Sequence, residues 1–354
     1  MTLTRYFTRA FAGRFLAVIF AFASLLQLLD LLDKASQLLK RGQGMGGLAT
    51  YFALQFPLFI SQLVPMAVLI GALLAFMGLA QHNEIVALRA AGASPLRLFR
   101  ILVPTAILVA VAHFLLIDQV APRAERALQD WWISITPPEE RKTPERYWMH
   151  TESSVLSFRR VEEDGRLLRG VVVVQLDERG VARDRIAARE AAWEEGGWVL
   201  RGVDTLTLRG TTQLTASSEA LAWPNGPTPE NVLLVSTPTE FLSLDRLSAI
   251  IAGTWSGTRN RAFYQMQFQK AFAVPATSIL MLLLAQPALH GIRRSSAFGA
   301  GVALGLVLGL IFLVFQGLMA SLAEAGVLPP FLAAWVPLAI FFCIGIALIL
   351  HLEE

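Results

Sequence analysis

Six polar side chains interrupt a leucine-rich stretch near the start of the chain: Gln27, Asp30, Asp33, Lys34, Gln37 and Arg41. On a helix that turns about 100° per residue they share an arc of about 120°, with Lys40 at its edge. Leu28, Leu29, Leu31, Leu32 and Leu39 fill much of the remaining circumference. A polar stripe at a hydrocarbon boundary faces a partner helix or a watery cavity. Two chemistries fit it. Lys34, Lys40 and Arg41 can meet an anionic head group, or Asp30 and Asp33 can pair with Lys34 while Lys40 and Arg41 snorkel to the interface.

A second informative stretch is QHNEIVALRAAGASPLRLFR, Gln81 to Arg100. Asn83 can cap a short helix, with Glu84 favourably placed at its positive end. Gly92 can end that helix, and Ser94-Pro95 can start the next. Ile85, Leu88 and Ala91 recur at i, i+3 and i+6 and give it an apolar face, with Arg89 beside them. A short amphipathic helix between two membrane spans is what a transporter uses to dock a motor subunit. A solvated connecting turn is the plainer alternative.

The residues expected of an enzyme are missing. HExxH and GxSxG do not occur, Cys343 is the single cysteine, and His150 is the only histidine of the charged central block, read as an ordinary strand residue. GxxxxGK[ST] is absent too, so the chain is not itself a P-loop ATPase, and no cofactor is expected in it.

These candidates must be positioned by membrane helices. Of 354 residues 55% are hydrophobic and 16% charged, which excludes disorder and a disulfide scaffold. The charge is split. Asp118 to Arg261 carries 18 of the 30 Lys+Arg and 21 of the 27 Asp+Glu, a net −3, while the rest of the chain carries a net +6. Nucleic-acid binding is therefore not indicated, because the basic surplus lies beside apolar segments.

Apolar runs at Phe15–Leu29, Gly42–Gln81, Ile101–Ile117, Ala271–Leu289, Ser295–Ala323 and Ala325–Leu350 predict six spans, since about 20 residues cross the hydrocarbon. Gly42 to Gln81 could also fold as a hairpin, but that would move Arg89 to Arg100 to the opposite side. With six spans Arg5, Arg9, Arg14, Arg89, Arg97, Arg100, Arg293 and Arg294 share one side, which puts both termini in the cytoplasm. The first run is expected to be retained, because no A-x-A-like site is followed by a polar mature sequence.

The block between the third and fourth spans then faces outward, into a periplasm. It reads as strands: Tyr147–Phe158, Leu167–Leu176, Ala182–Trp193, Trp198–Leu208 and Thr211–Ala222 alternate apolar with polar residues. Asp164-Gly165, Arg179-Gly180, Gly196-Gly197 and Arg209-Gly210 punctuate them. The expected fold is membrane α-helical, six transmembrane helices with an inserted periplasmic all-β domain, a sandwich or jelly roll. The expected division is residues 1–118, three spans with a coupling helix at about 82–93; 119–258, the jelly-roll-like domain; and 259–354, three more spans.

Several segments resemble one family along essentially the whole chain. They are Arg5-Tyr6, Gly42-Gln43-Gly44, the run PMAVLIGALLAFMGLAQHNEIVALRAAGAS from Pro65 to Ser94, and Tyr264 to Arg294 with Pro275 and Met281-Leu282-Leu283-Leu284-Ala285. The chain resembles the LptF/LptG (YjgP/YjgQ) permeases of the lipopolysaccharide exporter. Gly42-Gln43-Gly44, Leu79-Ala80-Gln81 and the short tail look like the LptG branch, with the LptF branch or a membrane-anchored periplasmic receptor without transport as alternatives. The resemblance implies a bacterial inner-membrane protein and a heterodimer with an LptF-like permease. It implies two copies of an LptB-like ATPase that bind the ATP and Mg, and an LptC-like bridge protein.

It further implies that Glu84, with Ile85, Leu88, Arg89 and Gly92, docks the ATPase, and that Lys34, Lys40 and Arg41 meet lipopolysaccharide. Spans one and five would form lateral gates. Gly299, Gly301, Gly305 and Gly309 would allow close approach of span five. Ile311, Phe312 and Phe315 would line the acyl-chain cavity, and Gln316 would bond another helix.

Overall fold

The computed structural model describes residues 2–82, 84, 87, 90, 95–137, 146–150, 154–162, 165–177, 181–194, 196–209, 212–224, 226–229, 231–232, 242–252, 259–289 and 296–353. Six helices among them are long and apolar enough to cross a membrane: Arg5–Lys40, Gly44–Gln81, Phe99–Ile135, Arg261–Leu289, Gly299–Glu324 and Pro330–His351. The chain forms two compact units. One holds residues 1–136, 241–243 and 266–354, and the other 137–240 and 244–265.

In the helical unit, α1 (Thr2–Lys40) and α2 (Gly44–Gln81) form a long hairpin. Its turn is short because Gly42 adopts φ 73°, which lets the Gly42 N–H reach Leu39 O at 3.0 Å and the Gln43 N–H reach Leu38 O at 3.1 Å. This is a glycine-terminated helix end that satisfies the last carbonyls. The charge-free run stays one helix despite Pro57 and Pro65. Pro65 has no N–H for the Ser61 carbonyl one turn back, and His113 Nε2 bonds that oxygen at 2.8 Å from the neighbouring helix.

That neighbour, α3 (Pro95–Leu115), passes through a π-helical stretch (Leu116–Val120) into α4 (Ala121–Ile135). The charges that begin at Asp118 thus lie first on a helix rather than in strands. α6 (Arg261–Leu284) is the most enclosed span, with 78% of its apolar window buried, and α2 follows with 67%. In α1 and α7 (Ser296–Glu324) the shares are 22% and 17%. Leu16, Phe20, Leu25, Leu28 and Leu32 on α1, and Leu304, Val307, Val314 and Leu318 on α7, are large apolar side chains left exposed.

α7 approaches the core closely where glycines allow it. A Cβ on Gly301, Gly305 or Gly309 would collide respectively with Pro287, Leu284 or Leu69, whereas Gly299 has open space. α8 (Pro330–Glu353) follows. At the far end of α7, Glu324 Oε1 accepts from Lys270 Nζ at 2.5 Å and Gln267 Nε2 at 3.2 Å. Trp335 Nε1 of α8 donates to Gln269 Oε1 at 3.0 Å.

Among the described residues the other unit contains one antiparallel sheet of seven strands: β1 (Tyr147–His150), β2 (Ser154–Phe158), β3 (Arg160–Glu162), β4 (Leu167–Leu176), β5 (Ala182–Glu194), β6 (Gly197–Arg209) and β7 (Thr212–Trp223). The order is β1-β2-β4-β5-β6-β7, with β3 also on β4. The run expected as Tyr147–Phe158 splits into the β1–β2 hairpin, in which Met149 pairs with Leu156. His150 pairs with Val155 on the edge strand. The same unit adds α5 (Leu244–Ile251).

A crease crosses the long strands. Gly170 of β4 and Gly202 of β6 both have positive φ, 65° and 62°, and flank Arg189 of β5. The buried set changes parity at this line: Leu168 gives way to Val171 and Val173, Ile186 and Ala188 to Ala191, and Trp198 and Leu200 to Val203. A regular strand would turn one of the two sets outward. The left-handed glycines break the alternation, so one apolar face continues through the bend.

Candidate functional site

The C-terminal end of α1 meets α2 and α4 in a cluster of cations, tryptophans and one buried tyrosine. Trp131 and Trp132 close α4, with ring centroids 6.2 Å apart. Tyr51 of α2 lies 6.5 Å from the first ring and 5.8 Å from the second. Its Oη donates to Asp30 Oδ2 of α1 at 2.5 Å. Asp30 therefore anchors the tyrosine, and the tyrosine backs Trp132.

Two cations converge on that indole. The Arg41 guanidinium carbon is 5.1 Å from the Trp132 ring centroid and Lys34 Nζ is 6.0 Å from it. Both distances are within reach of the ring's negative face. Arg41 Nη1 donates to Thr136 Oγ1 at 2.9 Å, and that hydroxyl donates to Trp132 O at 2.7 Å. Arg41 is thus held at both its face and its edge.

The polar arc of α1 divides into two rows. Asp30, Lys34 and Arg41 are half-buried, while Asp33, Gln37 and Lys40 are exposed. Among the described residues, no ion pair joins Lys34 to Asp30 or Asp33. Gln27, fully buried, has no side-chain hydrogen bond to a described residue. Lys34 and Arg41 are brought together and Lys40 stands on the adjacent exposed row. What the arrangement can do is attract an anion at a boundary between apolar and wet surroundings.

Trp131, Trp132 and Tyr51 are the site residues that sequence reasoning missed. Their signal was present: a Trp-Trp pair closing a helix that continues an apolar span marks a membrane interface.

At the opposite end of α1 stands Glu84. Its Oε1 accepts from Tyr6 Oη at 2.7 Å, and the residue is half-buried. Ile85, Leu88, Arg89 and Gly92, with the expected cap Asn83, lie outside the described residues.

On α7 the three expected cavity residues do not share one face. Phe312 is 0% exposed, its ring edge-on to Phe341 of α8 at 5.3 Å. Phe315 also turns to Phe341, at 6.4 Å. Ile311 is 52% exposed and joins the open stripe with Val307, Val314 and Leu318. Gln316 is half-buried and makes no side-chain hydrogen bond to a described residue.

No group of His, Cys, Asp or Glu among the described residues could hold a metal ion.

The family model described as "Lipopolysaccharide export system permease LptF/LptG" matches residues 5–351. The chain is 26% identical over 356 residues to the lipopolysaccharide export system permease protein LptG of Escherichia coli (strain K12), covering 99% of this chain and 98% of that protein. It is 22% identical over 343 residues to the protein of the same name from Haemophilus influenzae, covering 96% of each. The match runs through all six apolar helices and the inserted sheet, and the chain belongs to the LptF/LptG family of lipopolysaccharide export permeases.

Proposed function

We propose that the chain is the LptG-type permease subunit of an exporter that takes lipopolysaccharide from the outer leaflet of the inner membrane. The observation that carries this reading is the convergence of Lys34 and Arg41 on Trp132 at the outer end of α1. A phosphorylated glycolipid has what such a site needs: anionic groups at the interface and acyl chains below it. The exposed apolar stripe of α1 lies along the same helix.

The basic residues near both chain ends and in the segment after α2 support cytoplasmic termini, which leaves the β unit in the periplasm. α1 and α7, the least enclosed of the spans together with the third, serve as lateral gates against an LptF-like permease. Ile311 faces the acyl chains, and Phe312 and Phe315 back the helix from within. Glu84 docks one of two LptB-like ATPases, which bind the ATP and Mg that this chain has no sequence to hold. Closure of the cavity passes the lipid to the β unit and on to an LptC-like bridge.

Copurification tests the reading. The chain drawn from inner membranes in mild detergent is expected to bring down an LptF-like permease, an ATPase and lipopolysaccharide. Recovery of the chain alone, without ATPase or lipid, would contradict it.

A further inference from the structure

Glu84 is hydrogen-bonded to α1, the helix that carries Lys34 and leads to Arg41. Tyr6 Oη on the second turn of α1 donates to Glu84 Oε1 at 2.7 Å, linking residues 78 apart. The Tyr6 ring is 49% exposed and stands edge-on to Phe7, centroids 6.1 Å apart, and Phe7 is 2% exposed in the helical core. The phenol is therefore held by a packed neighbour while its hydroxyl reaches outward.

α1 can transmit what happens there. It runs unbroken for 39 residues, Thr2–Lys40, about 58 Å at 1.5 Å per residue. Tyr6 stands near one end, and Lys34 and Arg41 at the other. Close packing fixes the helix against α2 on the way. A Cβ on Gly71 would lie 2.8 Å from Phe15 Cα, and the Arg14 guanidinium fills the space beside Gly78. Arg14 Nη1 is itself tied to Ala10 O at 2.9 Å.

The choice of donor matters. A carboxylate has about four acceptor sites. A neutral phenol occupies one and leaves the negative charge in place for a cation arriving from another protein; a lysine or arginine at position 6 would neutralise it. We propose that Tyr6 is a positioning residue that couples the docking carboxylate directly to α1, so that displacement of Glu84 by the motor moves the lipid-binding helix. This rests on the reading of Glu84 as the docking group.

The test uses the assembled transporter in proteoliposomes, comparing Tyr6→Phe and Glu84→Ala with the parent. Tyr6→Phe keeps the ring against Phe7 and removes only the hydroxyl. It is expected to retain the ATPase and the parent's melting temperature while lipopolysaccharide exported per ATP hydrolysed falls about fivefold, the scale of one hydrogen bond. Glu84→Ala is expected to lose the ATPase. An unchanged export-to-hydrolysis ratio in Tyr6→Phe, with the ATPase lost in Glu84→Ala, overturns the coupling role and leaves the docking reading standing. Loss of the ATPase in Tyr6→Phe overturns it as well, because the hydroxyl then serves docking itself. Retention of the ATPase in Glu84→Ala removes the docking reading and the inference with it.

Discussion

Arg41 and Thr136, 95 residues apart, are joined by a 2.9 Å hydrogen bond that ties the end of α1 to the end of α4. The same guanidinium lies over the Trp132 ring, so two residues at the end of α4 fix one cation of α1. Removing the ring takes a cation–π contact from Lys34 and from Arg41 together. Each exposed cation–π contact contributes about 0.5–1 kcal/mol. Trp132→Ala is therefore expected to weaken lipopolysaccharide binding about five- to thirtyfold in detergent, and Trp132→Phe by less. Equal binding by all three forms would remove the indole from the site.

Tyr51 is 5% exposed and spends its hydroxyl on Asp30. Hydrogen bonds to charged groups contribute about 1.5–3 kcal/mol. Tyr51→Phe should lower the melting temperature, and it should also loosen the tryptophan shelf, read as a shift in tryptophan fluorescence. A shift in melting alone would separate stability from the site.

His113 and Pro65 make a matched pair. The proline strips the Ser61 carbonyl of its helical donor, and the imidazole, 2% exposed, replaces it. His113→Phe should cost about 1–3 kcal/mol by leaving that carbonyl without a donor. In a Pro65→Ala background the new N–H can bond Ser61 O, and the same substitution should cost clearly less. Additive effects in this double-mutant cycle would show that the two residues do not act on one carbonyl.

Lys270 and Glu324 close α6 onto α7 with side chains 31% and 26% exposed. Lys270→Glu and Glu324→Lys are each expected to lower the melting temperature by the equivalent of about 1–3 kcal/mol, and the double swap to recover most of it. Failure of the swap to recover stability would assign the losses to packing with Gln267 rather than to the ion pair.

The six spans and the inserted sheet were legible because hydropathy and strand alternation are local signals. Asp118, Arg123, Glu125 and Arg126 hid the continuation of the third span: their charges suit an exposed block, yet Asp118 lies in the π-helical stretch and the others ride the amphipathic α4. The shelf of Trp131 and Trp132 was lost with it. The polar arc of α1 was legible as an arc, but a helical wheel gives direction without partners. It could not separate the row of Asp30, Lys34 and Arg41 from that of Asp33, Gln37 and Lys40. Phe312 illustrates the same limit, since nothing in an apolar span tells the side facing Phe341 from the side left open at Ile311. The parity change at Gly170 and Gly202 depends on two glycines aligned across three strands, a relationship no single strand displays.

The central claim concerns the cations of α1. Lys34, Lys40 and Arg41 reversed together to Glu, in the transporter assembled with its ATPase, test it by the lipopolysaccharide retained in detergent. The expected result is retention of the ATPase with lipopolysaccharide reduced at least tenfold, about 1.4 kcal/mol in affinity. Lipopolysaccharide retained at the parent's level, with the assembly intact, would contradict it.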